Sequence, residues 1–205
     1  MKKEYGFIAK IYDPLLYFFI HPLRKEVMNT LLDYKEKTIL DLCCGTGDQF
    51  KLLAKNDFKN LHCLDVSRDM LCRAKKNSFN IKIYEEDATK TNFPNESFDL
   101  ILISFAIHEK NRITQKNFLN ETYRILKKDG SLLILDYNLN KKTSVLVKFI
   151  IYIIERIAGR EHYVNFKSYI KNKGLLSLIN TEKFKILENK QKDFRGTSIF
   201  FYKKV

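Results

Sequence analysis

Through the middle of the chain, short apolar runs alternate with stretches in which apolar residues recur every three or four positions. Residues 38–43 (TILDLC) form an apolar run that ends at Gly45 and predict a buried strand. A helix is expected over 48–55, then a second strand over 60–66 (NLHCLDV). Ser67 is placed to cap the next helix, which carries Met70, Leu71 and Ala74 at helical spacing. Residues 81–84 and 98–104 (FDLILIS) predict a third and a fourth strand. An amphipathic helix over 112–127 follows, then a turn at Asp129-Gly130 and a fifth strand over 131–137 (SLLILDY).

Strands alternating with helices predict an α/β fold: a Rossmann-like, doubly wound sheet. Residues 183–188 and 197–203 add two strands, for seven in all. The link between these two is too short for a crossover helix, so they should form an antiparallel C-terminal hairpin on an otherwise mostly parallel sheet. The chain reads as one domain, 1–205. Its parts are a helical cap over 1–35, a core over 36–137, a two-helix cap insertion over 138–174 and the strand hairpin over 175–205.

The segment Asp41-Leu42-Cys43-Cys44-Gly45-Thr46-Gly47-Asp48 is a strand end, a glycine turn and a helix start. Ligands of open α/β sheets bind at such carboxyl ends, where the strand order reverses. Asp65 ends the second strand and suits an acceptor for both hydroxyls of a ribose. The loop is not the dinucleotide fingerprint, because Phe50 stands where its third glycine would be. It is not a phosphate-binding P-loop either. An adenosine ligand without a pyrophosphate fits better.

Further along come LDVSRDML, EEDATKTNFPNESFDLILISFAIHE and YRILKKDGSLLILDY. With DLCCGTGD, these resemble the class I S-adenosylmethionine (SAM)-dependent methyltransferases, in the subgroup of the ubiquinone and menaquinone C-methyltransferases. The resemblance covers about 38–137. It implies that the chain is an enzyme using SAM and releasing S-adenosylhomocysteine. It implies that Asp41, Gly45 and Gly47 shape the place of the methionine part, and that Asp65 holds the ribose. Val66 and Met70 should line the adenine, with the Asp87 side chain and the Ala88 backbone at its edge. Ser104 should lie beside the sulfonium, and Tyr12 should belong to an N-terminal helix closing over the cofactor. Cys43 departs from the glycine most common at its position.

Methyl transfer from a sulfonium needs alignment more than a strong base. His108, just past the fourth strand, and Tyr163, in the cap insertion, are the candidates for a base or an orienting group. His62 reads as structural. No metal-ligand spacing is present, and Cys43, Cys44, Cys63 and Cys72 read as free thiols of a reducing cytoplasm. The first three are expected to be buried.

Two apolar stretches flank the core, 15–20 and 145–157. In the second, Lys148, Tyr152, Glu155 and Gly159 form a narrow polar stripe, so a wide apolar surface is expected to be buried. The net charge of +13 is uneven: residues 139–205 carry 15 Lys/Arg against 5 Asp/Glu. The expected acceptor is therefore a small lipophilic molecule such as a quinone precursor or a lipid. The basic C-terminal third could then touch an anionic membrane from the cytoplasmic side. A nucleic-acid methyltransferase is the charge-based alternative, opposed by the scarcity of Arg (8 against 29 Lys) and the lack of a nucleic-acid module. A non-catalytic SAM-binding accessory protein is the other alternative. The N-terminal residues lack a signal peptide, and no apolar run is long enough to span a bilayer.

Overall fold

The computed structural model describes residues 20–76, 81–190 and 196–205. Helix α1 covers 20–30 of these, and a short 3-10 turn follows at Leu32–Tyr34. The strands are β1 (Thr38–Leu42), β2 (Asn60–Asp65), β3 (Ile81–Glu85), β4 (Phe98–Ser104), β5 (Leu126–Tyr137), β6 (Phe184–Lys190) and β7 (Thr197–Lys204). The remaining helices are α2 (Asp48–Ala54), α3 (Arg68–Lys75), α4 (Arg112–Ile125), α5 (Val145–Ala158) and α6 (Arg160–Lys171).

The strands form one sheet in the order β3-β2-β1-β4-β5-β7-β6. β1 to β5 run parallel, and β7 pairs antiparallel with both β5 and β6. The expected mixed seven-stranded sheet is therefore present. Its winding reverses between β1 and β4, so their carboxyl ends border a crevice.

Alternation along the strands sends side chains to two apolar layers. Leu40, Ile101, Ile103, Leu132 and Ile134 pack on one face with Phe118 and Leu119 of α4 and Tyr169 of α6. Ile39, Leu61, Leu100, Leu102 and Leu133 pack on the other with Leu23 and Val27 of α1 and Phe50 and Leu53 of α2. Ser67 caps α3 by accepting the Met70 amide.

The region around Asp129-Gly130 differs from expectation. α4 stops at Ile125, because Leu126 already pairs with Phe98 of β4. The turn is an irregularity inside β5, with Asp129 in the left-handed region (φ 59°) before regular pairing resumes at Ser131. The Lys204 ammonium donates to the Leu126 carbonyl at 2.6 Å, holding this excursion to β7. A hydrophobic pattern marks where side chains go. It does not show that a bulged chain has already joined the sheet.

Candidate functional site at the carboxyl ends of β1, β2 and β4

The chain after β1 turns tightly because β2 supplies the acceptors. The Leu64 carbonyl receives the amides of both Cys43 and Cys44 at 2.9 Å, and the Cys44 carbonyl receives the Gly47 amide. Asp65 completes the anchor: its Oδ2 accepts the Gly45 amide and its Oδ1 the Ser67 amide, both at 2.8 Å. Glycine turn and carboxylate thus converge, as the sequence requires. Each Asp65 oxygen makes one hydrogen bond to the backbone and has capacity for another.

Gly45 lies at φ 54°, and a Cβ built there meets nothing within 4 Å, so the loop faces open space. Gly47 lies at φ 70°, and a Cβ there would come within 3.0 Å of the Ala74 Cβ, so the loop and α3 need a glycine. Cys43 also lies in the left-handed region, at φ 76°, which accounts for glycine suiting that position. Cys43 and Cys44 are half-buried, against the expectation of burial, because their turn borders the crevice; Cys63 is buried and Cys72 exposed. All four are free.

Two buried polar atoms at the carboxyl ends of β1 and β4 have no partner among the described residues: Oδ1 of Asp41 and Oγ of Ser104. Burial, followed by the neighbouring Asp65 charge, pushes the Asp41 pKa up to about 8, against the pull of Arg24. Burial also raises Asp65, offset in part by the amides of Ser67 and Gly45. Buried polar atoms without a partner suit a polar ligand.

Val66 is exposed and Met70 half-buried, at the start of α3 on the rim. The β3 end joins them, because the Glu86 amide donates to the Asp65 carbonyl. Asp87 is exposed and Ala88 buried; Asp87 Oδ1 accepts the amide and hydroxyl of Thr89, which fixes the turn. α1 is tied to the loop through the Arg24–Asp48 ion pair at 3.4 Å and a bond from Gln49 to the Arg24 carbonyl. Tyr12 lies outside the described residues.

His108 is buried, and both its ring nitrogens face carboxylates. Nδ1 is 2.6 Å from Asp136 of β5, and Nε2 is 3.5 Å from Glu155 of α5. Burial alone would lower its pKa, but Asp136 and Glu155 outweigh this and lift it to about 10. The Asp136 carboxylate also accepts the amides of Ile107, His108 and Tyr137. Tyr137, Phe166 and Tyr169 surround the imidazole. His108 is thus clamped between sheet and cap by a carboxylate from each.

Tyr163 lies on α6, where its ring meets Tyr152 and takes the Arg156 guanidinium and Lys167 ammonium on its faces, at 5.3 and 5.5 Å. These contacts join α5 to α6. α6 reaches the end of β4 through His162, 3.3 Å from Glu109, and Asn165, which donates to the Glu109 carbonyl. The cap insertion therefore covers the carboxyl edge. His62, as expected, is structural: its Nδ1 bonds the Tyr84 hydroxyl, and burial lowers its pKa to about 4.

Pattern reading passed over Asp136, a lone acid closing an apolar strand, which is itself a legible signal. It also passed over Phe105, which nothing in the sequence marks. Phe105 sits at φ 52°, a costly conformation for a bulky side chain, directly after Ser104.

Residues 39–130 match the family described as methyltransferase domain. The chain is 26% identical over 200 residues to the ubiquinone/menaquinone biosynthesis C-methyltransferase UbiE of Campylobacter jejuni, covering 88% of this chain and 84% of that protein. A demethylmenaquinone methyltransferase of Leptospira interrogans is 32% identical over 152 residues, 66% of this chain and 59% of the relative. Among solved structures, a SAM-dependent methyltransferase from Aquifex aeolicus superposes with a TM-score of 0.61 at 19% identity, covering 98% of each chain, which shows a shared fold. With the glycine turn, the carboxylate after β2 and the mixed sheet already in view, the chain has the class I methyltransferase fold, is similar to the ubiquinone/menaquinone C-methyltransferases, and uses SAM as its cofactor.

Proposed function

We propose that this enzyme methylates a small lipophilic acceptor of the quinone-precursor type, acting from the cytoplasm as one domain over 1–205. The observation that carries the cofactor half is the Asp65–Gly45 bond at 2.8 Å, in a turn where a Cβ on Gly45 would meet nothing within 4 Å. The acceptor half is supported by the likeness to the quinone-pathway methyltransferases of Campylobacter and Leptospira. The half-buried rings of Phe105 and Tyr137, in contact past β4, support it too.

Bound SAM supplies an electrophilic methyl group on a sulfonium that is already a good leaving group. The chain's own work is then to hold, align and exclude water. In this reading Asp65 takes the ribose hydroxyls, and Asp41, Gly45, Gly47 and Ser104 surround the methionine part. Val66, Met70, Asp87 and Ala88 meet the adenine. His108, with both nitrogens engaged, positions the loop after β4 and the cap rather than taking a proton. Tyr163 holds α5 and α6 together above the site.

The deciding experiment supplies SAM labelled at its methyl group, with purified enzyme, to cell extract separated into lipid-soluble and water-soluble fractions. Label should enter the lipid-soluble fraction. Label confined to the water-soluble fraction overturns the lipophilic acceptor.

A further inference from the structure

An ordinary surface helix turns its apolar stripe to the core. α5 does the reverse. Its one acid, Glu155, is buried against His108, while Val145, Leu146, Phe149, Ile153 and Ile157 are between 42% and 82% exposed. At about 100° per residue, these five fall within an arc of about 120°. Exposed Val164 on α6 is a further apolar residue of the cap.

Cations border this surface. Lys141 and Lys142 lead into α5, and Arg156 and Arg160 stand at its far end; all four are exposed. Glu155 and Glu161 are the acids of the two cap helices, and Glu155 is turned inward. A continuous apolar face that no other described residue covers marks a contact site. A second copy of the chain would set these cations against their own kind. An anionic bilayer offers both complements: acyl chains for the arc and phosphates for the rim. The helix has 14 residues, and no helix among the described residues is long and apolar enough to cross a membrane. Its geometry is that of a segment lying on a surface.

We propose that α5 docks flat on an anionic lipid surface, with Val145, Leu146, Phe149, Ile153 and Ile157 entering the acyl boundary and Lys141, Arg156 and Arg160 meeting the phosphates. The proposal deepens the reading of a lipophilic acceptor. The inner side of the same helix reaches His108 at the carboxyl end of β4, so the docked face and the site share one element.

The chain contains no Trp, so Phe149→Trp places a single Trp within the arc, which excitation near the red edge of the indole band reads apart from the tyrosines. Full-length protein is mixed with phosphatidylcholine vesicles, with and without about 30% phosphatidylglycerol. Binding should require the anionic lipid and weaken with added salt. The emission of Phe149→Trp should shift to the blue on binding. The double variant Phe149→Asp/Ile153→Asp should lose at least about tenfold in binding. Both positions are exposed, so its SAM affinity by calorimetry should be unchanged. No binding to anionic vesicles overturns the proposal. So does binding that leaves the emission unshifted, and so does a dimer formed without lipid that the double variant abolishes. Vesicle binding with label confined to the water-soluble fraction would keep the docking and remove the lipophilic acceptor.

Discussion

On the proposed cofactor side of the carboxyl edge, Asp41 and Ser104 bury oxygens that no described residue satisfies. On the cap side, a few residues along, His108 is buried with both nitrogens engaged by Asp136 and Glu155. Both regions pay for burying polar groups, but the first leaves them open to a ligand and the second uses them to join parts of the fold. The contrast teaches how to tell a binding residue from a positioning one. His108 had the residue type and location of a base, yet its hydrogen-bonding capacity is already spent. Oε2 of Glu155, on the helix that links the two regions, stays without a partner among the described residues.

The comparison can be broken at its strongest point first. Asp136→Ala leaves His108 and three backbone amides without their acceptor. Stability should fall by about 4 kcal/mol, and the melting temperature by about 10 °C, in a thermal denaturation. A change below about 1 kcal/mol would mean that the cap does not depend on this anchor.

On the cofactor side, Asp65→Ala should act on binding. Losing hydrogen bonds to a charged acceptor should weaken SAM and S-adenosylhomocysteine about 100-fold in calorimetry. Unchanged affinity would remove Asp65 from the site.

A third test uses pH. The Asp41 pKa rises from 3.8 unfolded to about 8 folded, so the folded state holds the extra proton between those values. Its contribution to stability is complete below 3.8 and is lost as pH rises through about 8. His108, lifted from 6.5 to about 10, adds a loss in the same direction between those values. Denaturant unfolding should therefore show stability declining from neutral to alkaline pH. Asp41→Asn should flatten the part below pH 8, and an unchanged slope would remove Asp41 as its source.

The smallest effect is expected at Cys43. Cys43→Gly relieves a left-handed backbone and should stabilise by up to about 1 kcal/mol, measured by the same unfolding. A loss of stability would show that the thiol's packing outweighs the strain.

Much of the cofactor region was legible because its parts are local. A strand, a glycine turn and a helix start occupy eight consecutive residues, and Asp65 ends the next strand. The α5 face was legible as a pattern but not in direction. Its narrow polar stripe was correctly placed around Glu155, yet the apolar arc expected to be buried is exposed. Periodicity assigns residues to faces. Which face turns inward depends on what lies opposite, and here that is His108.

The sequence alone determined the buried apolar runs, the loops that interrupt them and the hairpin that had to be antiparallel. These follow from backbone geometry and from side-chain spacing within a few turns of chain. Only the tertiary structure decided the pairing of Asp136 and Glu155 with His108, the left-handed Phe105 and the outward face of α5. Those depend on contacts between residues up to 47 positions apart, and burial makes such contacts decisive because an unpaired charge there is costly.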